Sequence, residues 1–419
     1  MAEDPRDGDP AAAGGRGPLR RRAALSFFAL ERSIVAVLVM VVLVGMGEKL
    51  AERFLPLYLV ALGGGALSVG LLNGLDNLLS ALYSLLGGHV ASRLGVKRAL
   101  LLFNLAAVAG FAMVVAVPSW PAVLAGSVLF LSWTAISLPA TMELVARVLP
   151  PGKRVMGVSM HSMVRRIPMA LGPLVGGVLI DRLGVEAGVR TAFAVAIVFA
   201  VAAAALQQRW MAVDPPRAPD LAGTAPRPGL LRSMPPALRR LLAADILVRF
   251  CEQIPYAFVV LWCLNEIDGP VTATQFGILT TVEMATALAI YVPVAWLADR
   301  GGKKPFVVAT FGFFTLFPLA LYFSRSFWPL VAVFVLRGLK EFGEPTRKAL
   351  ILELAPDERK AATFGLYYLL RDVVVSVAAF GGALLWRIDP AVNLFTACGC
   401  GLVGTLWFAW RGQDESGRR

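Results

Sequence analysis

Charge is scarce in this sequence. Of its 419 residues, 16% are Asp, Glu, Lys or Arg while 57% are hydrophobic, and the mean hydropathy is +0.69. A water-soluble globule carries about 25% charged residues, so the composition excludes one and places the chain in a lipid bilayer. Histidine occurs twice, at His89 and His161, and cysteine four times, at Cys251, Cys263, Cys398 and Cys400, each inside an apolar run. Without paired loop cysteines or a His cluster, disulfides and structural zinc drop out, and no metal or cofactor is expected. Absent too are a Gly-Lys-Ser/Thr phosphate loop and a nucleophile elbow. ATP-driven pumping and hydrolysis therefore have no visible machinery, and the chain is not expected to be an enzyme.

Long apolar runs are what the chain has. A helix crossing the hydrocarbon needs about 20 mostly apolar residues, and twelve segments qualify: 33–61, 67–87, 99–117, 121–146, 154–180, 189–210, 239–263, 273–297, 305–323, 327–350, 361–386 and 391–410. The polar, Gly-, Pro- and Arg-rich residues 1–32 are expected to form a disordered cytoplasmic tail. Residues 211–238, with seven prolines, cannot span a membrane and read as a cytoplasmic linker between a bundle at 33–210 and another at 239–410, followed by a tail at 411–419. The fold expected is an all-α polytopic membrane protein.

The formal net charge of +12 would suggest nucleic acid as a partner if the chain were soluble. Its location argues otherwise. With a cytoplasmic N-terminus, the inner loops collect Arg93, Lys97, Arg98, Lys303, Lys304, Arg359 and Lys360 among others, while the outer loops hold Arg182, Arg190, Arg325 and Arg387. The excess orients the helices under the positive-inside rule. The partners expected are the lipid bilayer, a small solute and protons, with no nucleic acid, in a monomer of the cytoplasmic (inner) membrane.

An internal repeat supports two halves. One constant offset sets Gly70 on Gly277, Asp76 on Glu283, Arg93 on Arg300, Gly95 on Gly302 and Lys97 on Lys304. A second sets Arg154 on Arg359, Arg166 on Arg371, and Gly176 and Gly177 on Gly381 and Gly382.

Between the second and third segments, Gly88-His89-Val90-Ala91-Ser92-Arg93-Leu94-Gly95-Val96-Lys97 resembles the G-x-x-x-D-R-x-G-R-K signature of the major facilitator superfamily, with Ser92 in place of the acid. The second copy keeps Asp299 and Arg300 but lacks the first Gly. In the fifth segment, Gly172-Pro173-Leu174-Val175-Gly176-Gly177 is similar to the core of a motif of that family's proton-coupled exporters. Glu52-Arg53-Phe54 is similar to the end of the E-x-x-E-R-F element of proton-coupled peptide transporters, with Glu48 four residues before Glu52 where that element has three. The resemblance covers residues 33–410. It implies twelve helices in two pseudo-symmetric six-helix bundles, working by alternating access. Gly88, Arg93, Gly95, Asp299, Arg300, Gly172, Pro173, Gly176 and Gly177 are then the conformational positions.

Ionisable groups inside a membrane are costly and by default mark a functional site. On segment ten, Arg337, Lys340, Glu341, Glu344 and Lys348 project along one line at helical spacing, a stripe that cannot face lipid. Segment seven carries Asp245, Arg249 and Glu252 on one face. Glu48 and Glu52 lie one turn apart on segment one, and two neighbouring acids in a dry site cannot both be charged cheaply, so one can load and release a proton. Asp76 and Glu283 are repeat-equivalent acids near mid-span, and Arg166 and Arg371 repeat-equivalent bases able to clasp a carboxylate. Glu48, Glu52, Asp76 and Glu283 are thus the expected proton-coupling residues, with Glu48 or Glu52 preferred. Arg166, Arg249, Glu252, Arg337, Glu341, Glu344 and Arg371 are the expected substrate contacts.

The function expected first is proton-coupled efflux of an amphipathic small molecule. The alternative is uptake or exchange of an anionic or zwitterionic solute, to which the interior arginines point. A non-transporting receptor on a transporter fold is the reading of another class.

Overall fold

The computed structural model describes residues 32–131, 133, 137, 141, 151–211, 234–298, 302–356 and 360–413. The expected N-terminal tail before Arg32, most of the linker and C-terminal tail, and Asp299 and Arg300 of the second loop signature lie outside them. Among the described residues every regular element is helical, so the chain forms an all-α polytopic bundle. Seven of the helices pass as membrane spans by length and apolarity alone. Several others carry the interior charges.

Span one comprises Arg32–Glu52 and Leu55–Ala61, span two Gly65–Leu94, span three Val96–Ala116, and span four opens with Trp120–Phe130. Spans five and six are Pro151–Leu183 and Val185–Trp210. Span seven is Pro236–Gln253 followed by short turns through Glu266, span eight Ala273–Ala298, and span nine Lys303–Phe323. Span ten comprises Phe327–Leu339 and Glu344–Leu354, and spans eleven and twelve are Lys360–Ile388 and Pro390–Arg411. Successive spans alternate in direction. Residues 95, 211, 302 and 412 therefore share a near end with Arg32, and the 1–2, 5–6, 7–8 and 11–12 connections share a far end. Reversal within a single residue is possible at Gly95 and Gly184 because glycine tolerates their φ of +79° and +80°.

Three spans expected to be continuous are broken, each within two residues of a proline, which lacks the amide a helix interior needs. Span one breaks at Arg53-Phe54, ahead of Pro56 in the first turn of its second helix. Span seven breaks at Ile254-Pro255, beyond which a 3-10 turn, Tyr256–Phe258, begins. It also starts at Pro236, inside the expected linker, since proline suits a first helical turn. Span ten breaks over residues 340–343, between Leu339 and Glu344, with Gly343 at the N-cap and Pro345 in the first turn of the second helix. That last break shifts the helical phase and corrects the expected stripe. Arg337 is buried, but the inward position of the second helix belongs to Arg347, 1% exposed, while the Lys348 side chain is 47% exposed.

The halves meet through glycines at the far end. Gly277 of span eight lies against span five so closely that a Cβ would sit 2.6 Å from Leu174 Cα, and Gly177 of span five lies against the backbone of Ala273. Gly70, the repeat equivalent of Gly277, packs in the same way on Ala383 of span eleven. Within half one, Gly172 and Gly176 admit the backbone of Lys49 and Leu50. Small residues allow such approach between helices that have no hydrophobic drive to associate in lipid.

Candidate functional site

A cavity of about 520 Å³ lies between the halves. Half one contributes Glu48, Lys49 and Glu52 from span one, Asp76 and Ser80 from span two, Trp133 and Ser137 from span four, and Arg165 from span five. Half two contributes Tyr256 from span seven and the adjacent Arg371 and Asp372 from span eleven. A smaller chamber of about 40 Å³ adjoins it, sharing Glu52, Asp76 and Tyr256 and adding Arg53, Asn73 and Arg337. Tyr256 follows the break in span seven, and its ring is flanked by the Arg53 guanidinium at 5.2 Å and that of Arg337 at 5.7 Å. A helix interruption thus sets one aromatic ring between cations of opposite halves.

On the half-one wall Lys49 is shared by two acids. Its Nζ lies 3.2 Å from Glu48 and also bonds Glu52. Asp76, one span away, has no ion-pair partner within 4.0 Å among the described residues.

Half two contains a chain of alternating charges. Glu283 lies 3.4 Å from both Arg337 and Lys340. Lys340 bonds Glu252 at 2.9 Å, Glu252 bonds Arg249 at 2.5 Å, and Arg249 reaches Glu344 at 3.2 Å. Glu344 bonds Arg347 at 2.6 Å, and Arg347 ends the chain on Asp245, which also accepts from the Tyr367 hydroxyl at 2.9 Å. Spans seven, eight, ten and eleven are joined by it. Each member is desolvated, so each needs its neighbour.

This geometry sorts the residues expected from sequence. Glu48, Glu52, Asp76 and Arg371 line the cavity. Arg249, Glu252, Glu283, Arg337 and Glu344 are held in ion pairs within half two, together with Lys340 and Arg347, and Arg337 also lines the small chamber. Arg166 and Glu341 pair across the halves at 3.6 Å. The repeat equivalence of Arg166 and Arg371 does not extend to surroundings, for it is the neighbouring Arg165 that lines the cavity. Arg347 is the member of the charge chain that sequence reasoning misses; its spacing of three from Glu344 is the available signal. In the first loop signature Arg93 is exposed, while Lys97 donates to the carbonyls of Gln208 and Met211 at 2.8 and 2.6 Å, closing the C-terminus of span six.

The family model described as Major Facilitator Superfamily matches residues 37–269 and 241–419. The chain belongs to that family. Among solved structures it resembles a POT family transporter in complex with 5-aminolevulinic acid, at 11% identity and a TM-score of 0.77 over 91% of this chain and 96% of that one. It is similar as well to a point mutant of the nucleoside transporter NupG, at 12% identity and a TM-score of 0.76 over 90% and 99%. A point mutant of the peptide transporter POT matches at 14% identity and a TM-score of 0.74 over 92% and 94%. No curated protein matches the sequence significantly. This superfamily member is thus a multi-pass membrane protein with the fold of a secondary transporter.

Proposed function

We propose that this superfamily member is a proton-coupled importer of a small zwitterionic solute. The observation that carries the reading is the cavity of about 520 Å³ whose half-one wall bears Glu48, Glu52 and Asp76 and whose half-two wall bears Arg371. Lys49 and Arg165 share the first wall and Asp372 the second, so both signs of charge line the cavity, which matches a solute with an ammonium at one end and an acid at the other. Its volume lies in the usual range for small-molecule sites, about 300–1,000 Å³. An exporter of amphipathic drugs, the function expected first, has no need of ionisable side chains from both halves in its cavity, and this cavity carries them beside its apolar lining. The solved structures it resembles include transporters named for peptides and for nucleosides, and a POT family transporter in complex with 5-aminolevulinic acid, which favours solute uptake.

Asp76 is the proton carrier in this scheme. Glu48 and Glu52 divide Lys49 between them, which leaves Asp76 as the cavity acid without a fixed counter-ion among the described residues. A proton can supply that partner when the cavity opens to the acidic side and leave when it opens to the cytoplasm. One proton moving through 100 mV releases about 2.3 kcal/mol, enough to bias the cycle. The termini and linker lie on the cytoplasmic side, and no cofactor beyond the proton gradient is required.

Proteoliposomes containing the full-length protein test this reading. An inward proton gradient should drive accumulation of amino acids or dipeptides, and their N-acetyl or amide derivatives should compete poorly. Gradient-driven extrusion of lipophilic cations with no zwitterion uptake would restore drug export.

A further inference from the structure

One cavity acid is held by half of its carboxylate. Asp372 lines the cavity between the halves, with 29% of its side chain exposed. Arg371 directs both Nε and Nη2 at the same oxygen, Oδ1, each at 2.7 Å. Among the described residues Asp372 has no second ion pair, and Oδ2 accepts no hydrogen bond and keeps open surface. The group is nonetheless aimed. The Arg371 guanidinium lies 4.3 Å from the centre of the Tyr368 ring, and its Nη1 lies 3.7 Å from Asp245 Oδ2. Asp245 is fixed in turn by Arg347 and by the Tyr367 hydroxyl. A side chain whose supports are locked in this way presents its free atom in one place.

Arg371 also carries the charge chain of half two out to the cavity. From Arg337 at one end to Asp372 at the other, every intervening member has an opposite charge on both sides. The two ends have one each. Arg337 makes up the difference with three aromatic faces, those of Tyr256, Phe317 and Phe334, at 5.1 to 5.7 Å. Asp372 has its free oxygen on the cavity instead. A carboxylate oxygen accepts and does not donate, so its partner must bring hydrogen-bond donors, and a cationic donor bonds it most strongly. The cavity of about 520 Å³ is far larger than a bare ion needs, and Val41, Leu131, Pro168 and Met169 give it apolar surface, which suits an organic cation. The acids of half one are otherwise engaged. Glu48 and Glu52 share Lys49, and an importer that carries a proton on Asp76 together with a cationic group needs a separate acid for each.

We propose that Asp372 of span eleven, positioned by Arg371, is the subsite for the substrate's ammonium group. The assignment rests on the zwitterion reading of the cavity, but its test does not require transport.

Calorimetric titration of the full-length protein in detergent compares two ligand pairs, dialanine with N-acetyl-dialanine and dialanine amide with N-acetyl-dialanine amide. Within each pair the free amine should bind at least about tenfold more tightly. Asp372→Asn should abolish that preference in both pairs. Where this variant lowers Tm, the double variant Asp372→Asn/Arg371→Gln, in which both charges leave together, carries the same comparison. Equal binding within each pair by the native protein overturns the subsite. So does a variant that weakens all four ligands alike, which gives Asp372 a structural role, or one that keeps the preference, which puts the cation on another acid. Displacement of dialanine amide by sodium chloride, but not by choline chloride at equal ionic strength, overturns it in favour of an inorganic cation. Loss of the preference in Asp372→Asn without proton-driven uptake of any zwitterion removes the transport reading and retains the subsite.

Discussion

Asp181, just beyond the apolar stretch of span five, caps span eight of the opposite half by accepting from the backbone amides of Ala273 and Thr274 at 2.9 and 2.8 Å. The bonds satisfy donors that a helix N-terminus leaves open, and the carboxylate meets the positive end of the helix dipole. Partial burial pushes the Asp181 carboxyl upward, but hydrogen bonds from Thr274, Thr272 and Ala273 outweigh it and hold it below the usual aspartate value. A depressed value means that the contact supports far-end closure above the ordinary carboxylate range, near about pH 4, and loses that support as pH falls through the lowered value. Asp181→Ala should speed hydrogen exchange at the Ala273 and Thr274 amides at neutral pH. In the native protein the same amides should stay protected until the pH drops below the normal aspartate range. Equal protection in native and variant protein would remove the cap from the gate.

Asp76→Asn should abolish accumulation driven by a proton gradient while leaving counterflow of labelled for unlabelled solute intact. Glu52→Gln, which alters an acid already held by Lys49, should slow both without uncoupling them. Measuring the two fluxes side by side in proteoliposomes separates the roles, and gradient-driven accumulation surviving in Asp76→Asn moves the proton elsewhere.

Asp245 and Arg347 are both fully buried and bonded to each other. Removing one charge takes away the shortest ion pair of its partner in a dry interior, and Glu344 for Arg347, or Arg371 and Tyr367 for Asp245, offsets part of a cost that would otherwise be about 3–5 kcal/mol. Arg347→Met and Asp245→Leu should each lower Tm steeply. The double variant should be more stable than the sum of the single losses predicts, because no unpaired charge remains between these two positions.

A side chain at Gly176 would overlap the Leu50 carbonyl, whereas a Cβ on Gly399 meets nothing within 4 Å. Gly176→Val should therefore force spans one and five apart, lowering Tm and transport together. Gly399→Ala should change neither, and this pair of thermal-shift and uptake measurements controls for a general effect of losing glycine.

The crossings were legible because apolar runs of about 20 residues have few alternatives in lipid. The repeat was informative for a physical reason visible at Gly70 and Gly277, each of which packs against the opposite half. What stayed hidden was rotation. Gly343 and Pro345 are plain in the sequence, but the phase shift they impose, bringing Arg347 inward and turning Lys348 outward, depends on how many residues the break consumes. Interior charge announces the need for partners without naming them. Glu283, the repeat equivalent of cavity-lining Asp76, instead faces Arg337 and Lys340. The free oxygen of Asp372 is a property of three-dimensional surroundings and leaves no trace in spacing.

At the break in span seven, two consecutive carbonyls released from the helix ladder are taken up by different halves. Asn73 of half one donates to the Gln253 carbonyl at 2.9 Å, and Asn393 of half two to that of Ile254 at 3.3 Å. Rocking the halves apart costs the first bond and spares the second. A net hydrogen bond is worth about 0.5–1.5 kcal/mol, so fastenings of this kind, together with the Asp181 cap, stay within reach of the energy one or two protons release. The consequence is kinetic: a seal of a few backbone-directed bonds limits solute leak between strokes while leaving the opening barrier low enough for rapid turnover. Tightening it by one strong ion pair would trade speed for tightness.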